Sequence, residues 1–162
     1  MIDRIAARWI SRLSQGAQEH PEVVYVAVFL TPMERARLIK RFGKTHPELE
    51  AHHMTIWHQT ADGGNSGLEQ LPLGKTFPLK ILGYAENERV QAVVVKSPVN
   101  VRPRSGRVPH ITLSIAVGAS AKDSNALLAN SSSIVWESGL PTVEGKLGWW
   151  DGTKERFDLP LK

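Results

Sequence analysis

The chain has 162 residues, with 20 Lys and Arg against 16 Asp and Glu and a net charge of +4. That length suits one domain with a real core, and a hydrophobic share of 41% with a charged share of 22% excludes a disordered or fibrous class. No apolar run reaches the roughly 18–20 residues that cross a bilayer, the absence of cysteine excludes disulfides and thiolate metal sites, and the basic excess points to an anionic partner such as nucleic acid, or serves solubility.

Residues 1–13 read as an amphipathic helix: Ile2, Ile5, Ala6, Trp9, Ile10 and Leu13 recur at helical spacing, while Arg4, Arg8 and Arg12 stack on another face. Asp3 and the shortness of the segment argue against a presequence or a membrane anchor, so residues 1–15 are expected to dock on a single domain spanning 1–162. A cytoplasmic, monomeric protein without membrane contact is expected. Residues 22–30, rich in Val with Tyr25 and Phe29, are apolar on both faces and predict a central strand. The strand stops at Thr31, a helix cap, followed by Pro32 at the first helical position and Glu34 completing a capping box. This helix is expected to reach Phe42 and end at Gly43.

Residues 51–57 predict a strand on which His53, Thr55 and Trp57 share one face, with His52, Met54, Ile56 and His58 on the other. The glycine-rich stretch 62–67 is expected to be a flexible loop. Strands are expected at 76–85 and 88–96, joined by a tight turn at Glu86 and Asn87. Residues 97–108 form a basic loop carrying Arg102, Arg104 and Arg107. The strand 109–117 follows, with Ile111, Leu113, Ile115 and Val117 on a core face and His110, Thr112, Ser114 and Ala116 on the other. A capped helix is expected from Ser120 to about Asn130, and Asp151-Gly152 predicts a hairpin near the end of the chain, with Trp149 and Trp150 on opposite faces of its first strand.

Two His-x-Thr strands carry the chemistry. In one reading the imidazoles hydrogen-bond backbone groups at strand starts. In the other they face each other across a phosphodiester as general base and general acid, since an imidazole titrates near neutral pH. The Thr hydroxyls would then donate to the non-bridging oxygens. Such a site needs no metal, and the chain has no His-x-His, His-Glu-x-x-His or cysteine cluster, no P-loop, no Gly-x-Gly-x-x-Gly and no Gly-x-Ser-x-Gly. Trp57 either stacks on a nucleobase or packs at an edge, and Tyr25 approaches the cleft if its face allows. Arg102, Arg104 and Arg107 either contact RNA phosphates or form a solvated loop.

His53-Met54-Thr55 and His110-Ile111-Thr112 resemble the paired signature of the 2H phosphoesterase superfamily. The stretches 25–31, His46-Pro47 with 51–55, 109–114 and 124–128 are similar to the cyclic phosphodiesterase domain of fungal-type tRNA ligases. The resemblance covers roughly residues 23–129. It implies a bilobal α+β fold, with two antiparallel sheets lining a cleft, helices on the outside and one motif from each lobe. It also implies metal-independent opening of a 2′,3′-cyclic phosphate to a 2′-phosphate on RNA ends, without a cofactor. By that resemblance His110 would activate water, His53 would protonate the departing 3′-oxygen, and Thr55 and Thr112 would hold the phosphate. No ligase or kinase domain is present, so a stand-alone enzyme or one component of a repair system is expected. The expected partner is RNA with a 2′,3′-cyclic phosphate end, or a cyclic nucleotide. Two alternatives stay open: a phosphodiesterase for 2′,5′-linked oligonucleotides or small cyclic phosphates, and a non-catalytic RNA- or nucleotide-binding module.

Overall fold

The β-branched and aromatic run from Tyr25 to Leu30 forms strand β1 (Tyr25–Leu30), in which Val26 through Leu30 are all buried. A strand covered on both faces sits inside a sheet. Accordingly β1 lies between β8 (Thr142–Trp150) and β3 (His53–His58), antiparallel to both. The computed structural model describes residues 21–161, so the amphipathic helix expected over residues 1–13 lies outside the described residues.

Helix α1 (Pro32–Phe42) follows β1 as its capping residues predict. The Thr31 hydroxyl accepts the Glu34 amide at 3.2 Å, Pro32 starts the helix, and Gly43 ends it at φ 74°, in the left-handed region that glycine tolerates. Leu38 is buried against the main core, and Ile39 and Phe42 pack partly on it.

The remaining elements are β2 (Glu48–Leu49), β4 (Thr76–Glu86), β5 (Val90–Lys96), β6 (His110–Ile115), α2 (Asp123–Ala129), β7 (Val135–Trp136) and β9 (Glu155–Arg156). The strands form one nine-stranded sheet in the order β2-β6-β5-β4-β8-β1-β3, with β7 on β4 and β9 on β8. Every pairing is antiparallel. The α+β class holds, but the expected pair of separate sheets in two lobes is replaced by a single sheet. The reason is β4. Its N-terminal half, Thr76 to Lys80, pairs with β8, and its C-terminal half, Lys80 to Glu86, pairs with β5. One long strand is therefore common to both halves.

The two ends of the sheet also meet. β2 pairs with β6, and the ladder continues through Glu50 N–H to Leu113 O and Ala51 N–H to Thr112 O, both at 2.8 Å. One residue later the chain changes partner: Leu30 N–H donates to His52 O at 2.9 Å, and β3 proceeds along β1. Between the two ladders Ala51 takes φ 48°, the one positive φ among described non-glycine residues, a conformation that is uncommon for a side chain with a Cβ. Arg35 of α1 holds this bend, donating to Glu50 O at 2.8 Å and Ala51 O at 3.2 Å. The crossing brings β3 against β6.

The larger core lies between α1 and the sheet, around Val28, Leu38, Met54, Leu79, Leu113 and Leu147. A smaller one lies under α2, where Val90, Val94 and Ile115 meet Leu127 and Leu128. A hairpin joins β8 to β9, but its loop is residues 151–154, two residues longer than the turn expected at Asp151-Gly152, because Trp150 pairs with Glu155. Asp151 organises that loop: its carboxylate accepts the Thr153 and Lys154 amides at 2.8 Å each and Arg156 Nε at 2.7 Å. The Arg156 bond, then the amides, holds the Asp151 carboxyl below the usual carboxylate range. No helix among the described residues is long and apolar enough to cross a membrane.

Candidate active site

The two His-x-Thr tripeptides occupy matching ladders. Phe29, Val28 and Ala27 of β1 oppose His53, Met54 and Thr55, while Val94, Val93 and Ala92 of β5 oppose His110, Ile111 and Thr112. In both ladders an alanine faces the threonine, and the register slips by one residue directly after it. Ile56 and Leu113 are the extra residues, so that Trp57 pairs with Val26 and Ser114 with Gln91. These paired β-bulges form a structural repeat for which the sequence shows only the tripeptides.

A bulge moves every following side chain to the other face. Trp57 therefore turns away from His53 and Thr55 into the core, where its indole N–H donates to Asn65 Oδ1 at 3.1 Å and the Arg104 guanidinium lies 3.7 Å from its ring centroid. The shared face expected for Trp57 is thus corrected, and His58 takes that place. On β6 the Ser114 hydroxyl donates to Gln91 Oε1 at 2.6 Å, Ile115 crosses to the smaller core, and Val117 is exposed.

His53, Thr55, His110 and Thr112 line one cavity of about 580 Å³, together with Tyr25, His58, Arg107, Lys122 and Asn125. Pro103, Arg107 and Val108 of the basic loop form part of its wall. Arg107 pairs with Asp62, whose carboxylate also accepts the His58 amide at 2.8 Å, and Arg104 donates to the Gly64 and Ser66 carbonyls. Two of the three loop arginines thus hold the glycine-rich stretch. Arg102 is exposed and does not line the cavity.

The two histidines are held differently. His110 Nδ1 lies 2.8 Å from the Val108 carbonyl. A carbonyl only accepts, so Nδ1 carries the proton and the neutral ring leaves Nε2 as a lone pair. Burial, with Arg107 nearby, keeps the His110 pKa below its ordinary value, against the opposing Val108 hydrogen bond. Thr112 Oγ1 sits 2.9 Å from the buried Ser124 Oγ of α2.

His53 stacks on Tyr25, with ring centroids 4.8 Å apart, and its Nδ1 lies 3.0 Å from Nδ1 of His52. His52 Nε2 in turn lies 2.6 Å from Glu155 Oε1 of β9. Strand alternation predicts His52 and His53 on opposite faces, and the structure corrects this. His52 precedes β3 and follows the Ala51 bend, so the period of two does not yet apply to it. Burial, then the neighbouring His52 and His110, lowers the His53 pKa to about 3. Burial, then Glu50 and Glu155, raises that of Tyr25.

Neutral burial of His53 has a pH consequence. Below its ordinary pKa of 6.5 the unfolded chain binds a proton there that the folded protein does not take up until about pH 3. Its contribution to stability is therefore complete above pH 6.5 and falls as the pH drops from there, by up to about 1.4 kcal/mol per pH unit. Urea unfolding of the wild type and of His53→Asn between pH 8 and 4 is expected to show a shallower acid loss in the variant. Parallel curves would mean that His53 is not held neutral.

His52, His58, Lys122, Asn125 and Glu155 line or adjoin the cavity without having been marked as site residues by the sequence. Glu155 lay near the Asp151-Gly152 hairpin signal, but a two-residue turn would have set Thr153 opposite Trp150 in its place. Among the described residues no three His, Asp or Glu side chains are grouped as metal ligands. The trio Glu155, His52 and His53 runs in a line, with the His52 ring bridging the other two.

No family model and no curated protein matches this sequence. Among solved structures, the crystal structure of a fungal RNA kinase matches over 78% of this chain with a TM-score of 0.53 and 13% identity. The chain spans 44% of the length of that protein. At this identity the likeness is one of fold: an α+β arrangement shared with part of a larger chain.

Proposed function

We propose that this protein is a metal-independent phosphodiesterase that hydrolyses 2′,3′-cyclic phosphates at RNA ends to 2′-phosphates. The observation that carries the reading is the pair of His-x-Thr tripeptides on matching bulged ladders, open to one cavity. His110 Nε2, proton-free in the neutral ring, takes a proton from water, and the hydroxide oxygen forms a bond to phosphorus. The P–O3′ bond breaks, and His53 Nε2 delivers a proton to the departing oxygen. Thr55 and Thr112 donate to the non-bridging oxygens, and Lys122, which lines the cavity, places positive charge beside them. The bound phosphate anion opposes the burial that keeps His53 neutral in the empty cavity, because an adjacent negative charge favours the imidazolium. The likeness in fold to a fungal RNA kinase accords with this substrate class, as does the net charge of +4.

The test is a panel of 2′,3′-cyclic nucleotides, cyclic-ended RNA and 2′,5′-oligoadenylate, assayed with EDTA present. Turnover of the cyclic phosphates to 2′-phosphate is the expected result. A 3′-phosphate product would reverse the substrate between the two histidines, preference for the 2′,5′ linkage would reassign the substrate, and binding without turnover would make the cavity a recognition site.

A further inference from the structure

We propose that Glu155 and His52 act together as a proton-positioning pair for His53, so that the general acid of this site is a shared-proton unit of two imidazoles backed by a carboxylate. The inference rests on the phosphodiesterase reading above and adds two positioning residues to it. The geometry is a continuous line. Glu155 Oε1 stands 2.6 Å from His52 Nε2, and His52 Nδ1 stands 3.0 Å from His53 Nδ1. A carboxylate accepts, so His52 Nε2 carries a proton. Its Nδ1 is then the acceptor when both rings are neutral, and His53 donates to it from its own Nδ1. That leaves His53 Nε2 as the nitrogen that exchanges protons with the cavity.

One added proton completes the working state. It enters at His53 Nε2, and the proton between the two Nδ1 atoms becomes shared, spreading the positive charge over both rings next to the Glu155 carboxylate. When His53 Nε2 passes its proton to the departing 3′-oxygen, the shared proton stays on His53 Nδ1 and both rings are again neutral. No proton or charge is left over.

Other groups face the same cavity. Tyr25 stacks on the His53 ring from β1, Glu50 stands before the bend, His58 lies at the far end of β3, and His110 comes from β6. Arg107 and Lys122 supply positive charge from the loops before β6 and α2. Against those cations and that burial, Glu155 is the carboxylate wired through hydrogen bonds to the His53 ring. Its placement is tertiary: β9 pairs only with β8, setting Glu155 opposite Trp150, and the Trp150 ring meets His52 edge-on at 5.9 Å.

The experiment compares the wild type with Glu155→Gln. Glutamine at position 155 keeps an acceptor oxygen and removes the charge. On a 2′,3′-cyclic nucleotide, Glu155→Gln is expected to lower kcat at pH 8 by roughly 10–100-fold, with less change in KM. A weaker acid deprotonates at lower pH, so the ratio of wild-type to variant kcat should shrink as the pH falls towards 5. On an activated 4-nitrophenyl phosphodiester, whose leaving group needs no proton, the deficit should fall to about threefold or less. Glu155→Asp should recover part of the loss. A deficit that is constant with pH and equal on both substrates would overturn the inference, because a merely structural role predicts that pattern. Imidazole ¹⁵N NMR separates this from failure of the parent reading. If the wild type hydrolyses no cyclic phosphate, the parent reading falls, and the spectra still decide the pair. A protonated His52 Nε2 and a His53 titration shifted to lower pH in Glu155→Gln support the pair, and an unshifted titration overturns it.

Discussion

Replacing His53 or His110 by alanine is expected to lower kcat on a 2′,3′-cyclic nucleotide by roughly 10²–10⁴-fold each, the usual worth of a positioned acid or base. The two losses should differ in kind. In the proposed hydrolysis His110 Nε2 must be proton-free to take a proton from water, so His110→Ala removes the acidic limb of the pH–rate profile, in which rate rises with pH. His53 must be protonated to release the 3′-oxygen, so His53→Ala removes the alkaline limb. A 4-nitrophenyl leaving group should rescue His53→Ala and leave His110→Ala impaired, since only the first lacks an acid. The double variant should fall well short of the product of the single losses, because the two groups serve one step. Rescue of His110→Ala by the activated ester, with none for His53→Ala, would exchange the two roles. Activity within a few-fold of wild type in either variant would remove that histidine from the chemistry.

Gly148→Ala is expected to destabilise the fold by about 1–3 kcal/mol and to disable the acid side of the site as well. A Cβ at this position would stand 2.3 Å from the Arg156 carbonyl oxygen and 2.7 Å from Phe157 Cδ1. Backbone cannot yield as a side-chain tip can, so β9 has to lift from β8, and Glu155 leaves His52 with it. Two readouts follow. Urea unfolding gives the lost stability, and kinetics on the folded fraction should show the pH-dependent deficit of Glu155→Gln. Unchanged stability would mean that the final segment does not pack over Gly148. Lost stability with intact kinetics would separate β9 from the acid.

The sequence alone determined what depends on near neighbours along the chain. Thr31, Pro32 and Gly43 bound α1 because caps act within a turn or two, and the apolar run after Val23 marks an inner strand because few other structures bury so many consecutive side chains. The motif residues His53, Thr55, His110 and Thr112 stand at spacings of two, which strands place on one face, and the structure sets all four around one cavity. Arg102, Arg104 and Arg107 were legible as a basic loop, yet their partners were not. Arg104 and Arg107 are spent on Gly64, Ser66 and Asp62, residues about forty positions away.

Tertiary structure decided the rest, and the reason is register. A β-bulge arises from two strands of unequal length paired across a ladder, so no single strand reveals it. One extra residue at Ile56 was enough to move Trp57 into the core and His58 to the cavity. Whether two halves make two sheets or one depended on β4 being long enough to pair with both β5 and β8. His52 joined the site because the chain changes partner strands at Ala51, and Glu155 joined because a hairpin roughly a hundred residues later lies across the same ring. Strand alternation is a property of a segment. The hydrogen-bonded line from Glu155 to His53 is a property of two segments that meet only in the folded sheet.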